Sequence, residues 1–279
     1  MSPISAAWTD LVFHVLSFIE TASGDHSSLY SPEYRNWCRV NLSEALQVLV
    51  EEIYRPLSTA YRGTPGSHLL HMFPLLWDSI AAFQHAGSTR FDRMVWPSPD
   101  RGRIAAHVST HLPESLVEMF AECLRITAEA EFEAAWQRAM APRELFFAPL
   151  LRSAIEALSG NIPGLSDATW TISLPLCRHG RSIGCRDGAP WIYVGIPDPD
   201  LNVDLDHPVI QGCHELLVWR EMLSSPAPTH RDTVPGTEGY DAFIESEKRA
   251  LLAGEKIFGN GRWRDSYLRW KNHFLLIED

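Results

Sequence analysis

Between Asp206 and Glu221 the chain reads DHPVIQGCHELLVWRE, a run that places two histidines among carboxylates at helical spacing. At about 100° per residue, His207, Gln211, His214, Val218 and Glu221 fall within about 80° of one another, with Val209, Ile210, Cys213, Leu216, Leu217 and Leu223 on the other side. Two imidazoles and a carboxylate on one stripe are a donor set for zinc or iron. The carboxylate would come from Glu215, Glu221, Glu245 or Glu247, and Glu215 beside His214 could serve as a base. The His214-Glu215 pair also opens the zinc-peptidase HExxH pattern, but Val218 stands where the second histidine must be. Ligands seven positions apart lie about 10 Å apart along a helix, too far for one ion unless the helix bends. Two metal-free readings stand beside this one. His207 can be a solvated first-turn residue and His214 a hydrogen-bonded histidine of a core or groove. Alternatively, His214 and Glu215 act together as a catalytic acid/base pair on a bound substrate.

Other sets of polar residues are poorer. His68 and His71 are three apart and His107 and His111 four apart, so either pair could face one side of a helix. Neither brings a carboxylate at matching spacing, and packing or solvation accounts for both. The run Arg178–Gly184 has two arginines among glycines and could cradle an anion. It matches neither a P-loop nor a dinucleotide fingerprint, and a solvated hairpin tip explains it as well. No Gly-x-Ser-x-Gly elbow offers a serine nucleophile. No motif calls for a cofactor, and none is expected.

The elements that must position these residues are mainly helices. Leu11, Val12, Val15, Leu16 and Ile19 give helical spacing over 8–20. Ser31-Pro32 starts a helix to Val40. Another runs from about 43 until Pro56 ends or kinks it. Residues 67–86 read as helix with a kink at Pro74. The clearest helix spans about 114–140 and is stopped by Pro142, and 143–158 forms one more. Residues 168–175 and 190–197 alternate and are rich in β-branched and aromatic side chains, so they read as strands, antiparallel to each other, with a third strand possible at 181–185. Helices follow at about 206–223, 238–256 and 261–276. The expected fold is α+β and predominantly helical. A helical N-terminal region, 1–160, packs as one unit with 161–279, where a small antiparallel sheet is covered by C-terminal helices.

Composition narrows the function classes. The chain of 279 residues carries 24 Lys+Arg against 35 Asp+Glu, a net charge of −11. That balance opposes nucleic-acid binding, which needs clustered cations against phosphate. Five cysteines without a CxxC pattern read as free thiols of a reducing compartment. The N-terminal stretch lacks a basic region and has Asp10 and His14 among its apolar residues, so it does not read as a signal peptide. No apolar run reaches membrane-spanning length. A cytoplasmic protein is expected, with no membrane and no nucleic-acid partner.

A sheet edge can take up an extended peptide, and Trp170, Trp191 and Tyr193 on the strands could line such a groove, with His207 and Gln211 beside it. The competing role for these aromatics is the core between sheet and helices. The runs Ala189–Asp198 and Asp206–Glu215, after a long helical N-terminal region, resemble the peptide-binding proteins of crocagin biosynthesis. In that pathway the core of a ribosomally made precursor peptide is converted into a pyrroloindoline. The resemblance implies a protein that binds a precursor peptide, presents it to partner biosynthetic enzymes and takes part in ring closure. It transfers no catalytic residues. The alternative is a metal-dependent oxygenase or hydrolase built on the His207/His214 helix.

Overall fold

The computed structural model of the chain describes residues 4–5, 7–20, 32–64 except 45, 47, 48, 50 and 51, 67–87 except 72 and 78, 112–159, 162, 168–176, 180–186, 189–195, 209–218 except 211 and 215, 238–259, 261, 264, 265 and 268. The helices are α1 (Ala7–Glu20), α2 (Pro32–Asn41), α3 (Tyr54–Arg62), α4 (Ile80–Gly87), α5 (Glu114–Glu129), α6 (Phe132–Ser159) and α7 (Glu238–Ile257). The strands are β1 (Ile4–Ser5), β2 (Thr169–Ser173), β3 (Gly180–Arg186) and β4 (Ala189–Gly195). The described structure is mostly helical around one small sheet.

Prolines account for the departures from the expected helices. The described residues between 44 and 52 are helical and the chain turns at Ile53, so the expected helix ends just ahead of Pro56, which itself lies in the first turn of α3, where a backbone N–H would have no helical partner. In place of a kinked helix, Ser67–His71 and Phe73–Leu76 form two short 3-10 turns ahead of α4. Pro142 does not stop a helix. The break comes earlier, at Ala130–Glu131, where Glu131 takes a left-handed φ of 65°. From there α6 runs unbroken through Pro142 and Pro149. Both prolines are exposed, so the carbonyls that they leave without a helical N–H, those of Arg138 and Leu145, lie on the side open to water. The Arg143 guanidinium donates to the Ala139 carbonyl at 2.8 Å.

The sheet order is β1-β2-β4-β3. The antiparallel pairing expected between the 168–175 and 190–197 segments is not found, because β2 pairs parallel with β4, Thr171 opposite Tyr193 and Ile172 opposite Val194. Strand β3 intervenes in sequence and adds antiparallel to the far edge of β4, so the chain returns along β4 in the direction of β2. The Gly180–Gly184 part of the suspected hairpin tip is therefore strand; Arg178 and His179 lie outside the described residues. β1 adds two residues to the other edge, parallel to β2.

Alternation of side chains gives the sheet two faces. One carries Thr171 and Tyr193 and meets α1, where Phe13 packs edge-on against Tyr193 at 5.6 Å. The other carries Trp170 and Ile192 and meets the helical 209–218 segment, whose Gly212 backbone lies against both side chains. Helix α1 also packs on α3, α5 and α6, and every residue from Thr9 to Ser17 is buried.

Two titratable groups one turn apart on α1 lie within this core. Asp10 Oδ2 accepts the indole N–H of Trp136 on α6 at 2.6 Å and the backbone N–H of Leu174, just past β2, at 2.9 Å. Burial is the largest influence on this carboxyl and raises its pKa to about 7, against the opposing pull of the Leu174 and Trp136 donors and a weaker one from the Ser173 hydroxyl. His14 Nδ1 lies 2.7 Å from the Tyr34 hydroxyl, among the rings of Phe18, Tyr54 and Phe132. Burial lowers its pKa to about 3.

The two groups act on stability in opposite directions. Folded Asp10 keeps its proton to about pH 7 and loses it near 3.8 when unfolded, so its contribution is full below 3.8 and is lost as pH rises through 7. Folded His14 protonates near 3 and unfolded His14 near 6.5, so its contribution is full above 6.5 and is lost as pH falls towards 3. Asp10→Asn keeps an acceptor for both N–H groups and removes one of the opposing slopes. Its urea-unfolding stability relative to the native chain is expected to climb by up to about 1.4 kcal/mol per pH unit between about pH 4 and 7. A difference that does not change with pH would show that Asp10 is ionised in the fold.

Candidate functional site

The described residues of the 209–218 segment, Val209, Ile210, Gly212, Cys213, His214, Leu216, Leu217 and Val218, are all buried. The amphipathic reading, with His214 and Val218 on a polar stripe, is corrected here, since the sheet lies on one side and α7 supplies a partner on another. Gly212 shows why the segment can sit so close to the sheet. A Cβ there would lie 2.6 Å from Ile192 Cγ2 and 3.3 Å from the Trp170 ring. Only glycine permits that approach without a shift. Burial holds the Cys213 thiol well above its ordinary range.

His214 is 0% exposed, and its Nε2 lies 2.8 Å from Glu247 Oε2 on α7, a carboxylate whose side chain is 16% exposed. The contact closes α7 onto the segment across 33 positions of sequence. Glu247 was one of four carboxylates that the sequence offered to this histidine, and it is the one that the fold delivers. Of the others, Glu245 is exposed and pairs with Arg249 at 3.5 Å, whereas Glu215 and Glu221, like His207 and Gln211, lie outside the described residues.

The remaining candidates separate into core and surface. Trp170 and Tyr193 are each 2% exposed and pack on opposite faces of the sheet, so they do not line one surface groove. Trp191 is half-buried beside Tyr193, ring centroids 6.2 Å apart. His71 is buried, and its Nε2 lies 2.9 Å from the Tyr61 hydroxyl, a packing role. His107 and His111 lie outside the described residues. Among the described residues no three His, Cys, Asp or Glu side chains come together as a metal site.

Two features lie near the surface. Strand β3 is the outermost strand beyond β4, with an irregular register between Ser182 and Cys185. Among the described residues its outer edge pairs with nothing, whereas β1 covers β2 only at Thr171 and Ile172. A cleft of about 290 Å³ lies at the C-terminal end of α7, lined by Glu255, Phe258, Gly259, Arg264 and Leu268.

Sequence reading missed the buried pair Asp10 and His14 as structural centres. The signal was present, as two titratable residues set i, i+4 inside an otherwise apolar helix. Comparison with family models, characterised proteins and solved structures finds no match to this chain. Among the described residues no helix is long and apolar enough to cross a membrane.

Two substitutions test this geometry. Glu247→Ala leaves His214 buried without its carboxylate and should lower stability by about 1–3 kcal/mol in urea unfolding, with Glu247→Gln costing less. Gly212→Ala should cost about 1–3 kcal/mol by overpacking, and less when Ile192→Ala has already cleared the space. Equal costs in both backgrounds would mean that the segment does not press on Ile192.

Proposed function

We propose that this chain binds a ribosomally made precursor peptide as an extended strand along β3 and presents it to partner biosynthetic enzymes, with pyrroloindoline formation as the chemistry served. The observation that carries the reading is the outer edge of β3, seven residues long, with no paired neighbour among the described residues. Such an edge offers N–H and C=O groups at strand spacing to an incoming peptide. Trp191, on adjacent β4, is the one of the three predicted aromatics that is only half-buried, and in this reading its exposed part would face the peptide. A net charge of −11 suits a neutral or basic peptide by steering. Trp170 and Tyr193 support the edge from within the core, and the resemblance over 189–198 and 206–215 points the same way.

The competing reading is a metal-dependent oxygenase or hydrolase, and the His214–Glu247 contact is the observation in its favour. Metal-ligating histidines commonly carry a carboxylate on their other ring nitrogen. Complete burial of His214 among apolar side chains weighs against it and suits a clasp between two helices instead.

One experiment separates the two. The chain, purified without a histidine tag, is titrated calorimetrically with the peptide encoded by a short reading frame beside its gene, and its metal content is measured on the same sample. Micromolar binding by metal-free protein, with slowed amide exchange over 180–186, is the expected result. No binding at about 100 μM overturns the proposal. Binding only in the presence of about one equivalent of metal favours the enzyme.

A further inference from the structure

Helix α6 carries a guanidinium where its core stripe calls for an apolar side chain. Trp136, Met140, Arg143, Phe147, Leu151 and Ala154 recur at steps of three and four, and all are buried. Arg143 is 9% exposed, and charged side chains this deep are almost always paired. Among the described residues no carboxylate pairs with it. One of its N–H groups goes to the Ala139 carbonyl at 2.8 Å, whereas the buried Nε has no hydrogen-bond partner. The guanidinium carbon lies 5.9 Å from the centroid of the Trp37 ring on α2, and Trp37 in turn stacks on Tyr34 at 5.8 Å. An aromatic face attracts the cation but supplies no oxygen to accept from it.

The surroundings of this cation are apolar. On α6, Phe146 and Leu150 follow Arg143 at i+3 and i+7, on the same side of the helix, and are 58% and 46% exposed. On α2, Val40 follows Trp37 at i+3 and is 83% exposed, while Trp37 itself is half-buried. The two helices thus set exposed apolar surface beside one guanidinium that has no anion. Buried charge calls for a counter-charge and exposed apolar surface for cover. A molecule with a carboxylate head and an apolar body answers both. A guanidinium meets a carboxylate in plane through two parallel N–H groups, and Nε–H can be one of them. The single cation matches a single negative charge, and a polyanion would be repelled by a chain of net charge −11.

We propose that Arg143, set against Trp37 between α2 and α6, anchors a binding site for an amphiphilic monocarboxylate whose apolar body lies over Phe146, Leu150 and Val40. The site uses no residue of the β3 edge and does not depend on peptide binding there.

Calorimetric titration of the full chain with octanoate, and separately with octanol, acetate and inorganic phosphate, tests it. Octanoate is expected to bind with a Kd of about 0.1 mM. The other three lack either the charged head or the tail and should bind at least about tenfold more weakly. Arg143→Met keeps an apolar side chain of similar reach and should weaken octanoate at least about tenfold. Its urea midpoint should hold or rise, because replacing an unpaired buried charge by an apolar group costs no stability. Phe146→Gln, at an exposed position where the fold is not at stake, should weaken octanoate about threefold or more and leave acetate unchanged. Circular dichroism of each variant establishes that the fold is retained. Absence of saturable octanoate binding below about 1 mM overturns the proposal. So does octanol or phosphate binding as tightly as octanoate, or native octanoate affinity in either variant.

Discussion

The carboxyl of Asp10 sits where three parts of the fold meet: α1 provides it, Trp136 of α6 donates to it, and Leu174 at the end of β2 donates to it. Ionised carboxylates are expensive to bury, and two hydrogen bonds to one oxygen do not replace a hydration shell. The group therefore holds its proton up to about pH 7. His14, one turn further along, meets the same constraint from the other side and is held neutral by burial. The two do not meet as an ion pair. Each finds its partners separately, Asp10 towards the sheet and Trp136, His14 towards Tyr34. Helix α1 can carry both because it is surrounded by α3, α5, α6 and the sheet.

With α1 committed to one face of the sheet and the 209–218 segment to the other, little sheet surface is left for a ligand. Tyr193 is used against Phe13, and Trp170 and Ile192 against Gly212. The side chains that looked available for recognition are consumed by packing, as large aromatics mostly are. Among the described residues, the outer backbone edge of β3 pairs with nothing. The proposed peptide binding therefore rests on main-chain hydrogen bonds more than on side-chain pockets, and such bonds read shape and extension more than sequence. The His214–Glu247 contact serves the same arrangement by fastening α7 over the segment that backs the sheet.

Helix α6 shows how a rule about single residues gives way to context. Proline removes an N–H and crowds the carbonyl four residues earlier, which usually ends a helix. Here both prolines point away from the core, where the freed carbonyls lie on the side open to water, and the buried face, with Trp136, Met140, Phe147 and Leu151, continues undisturbed. The true break falls at Glu131, which adopts a left-handed conformation without being glycine. Sequence offered no breaker there.

Much of the local structure was legible. The spacing of Leu11, Val12, Val15, Leu16 and Ile19 marked α1, Ser31-Pro32 marked the start of α2, and alternation marked β2 and β4, with β3 legible only as a possible third strand. The buried thiols Cys38, Cys123 and Cys213 agree with the reading of free cysteines. These features follow from interactions among neighbours in the chain or from one side of an element facing a different medium from the other. The candidate site was much less legible. Periodicity can distinguish two faces only when one is wet, and every described residue of the 209–218 segment is buried, so the stripe read as polar carries His214 in the core, as its reading as a hydrogen-bonded core histidine allowed. Glu247 could be named as one of four carboxylates but not chosen, and the parallel return of β4 could not be told from an antiparallel one. Those outcomes depend on contacts between residues far apart in sequence, such as Asp10 with Trp136 across 126 positions. Which of them form is settled by the simultaneous packing of every element against the rest, and no local pattern in the chain encodes it.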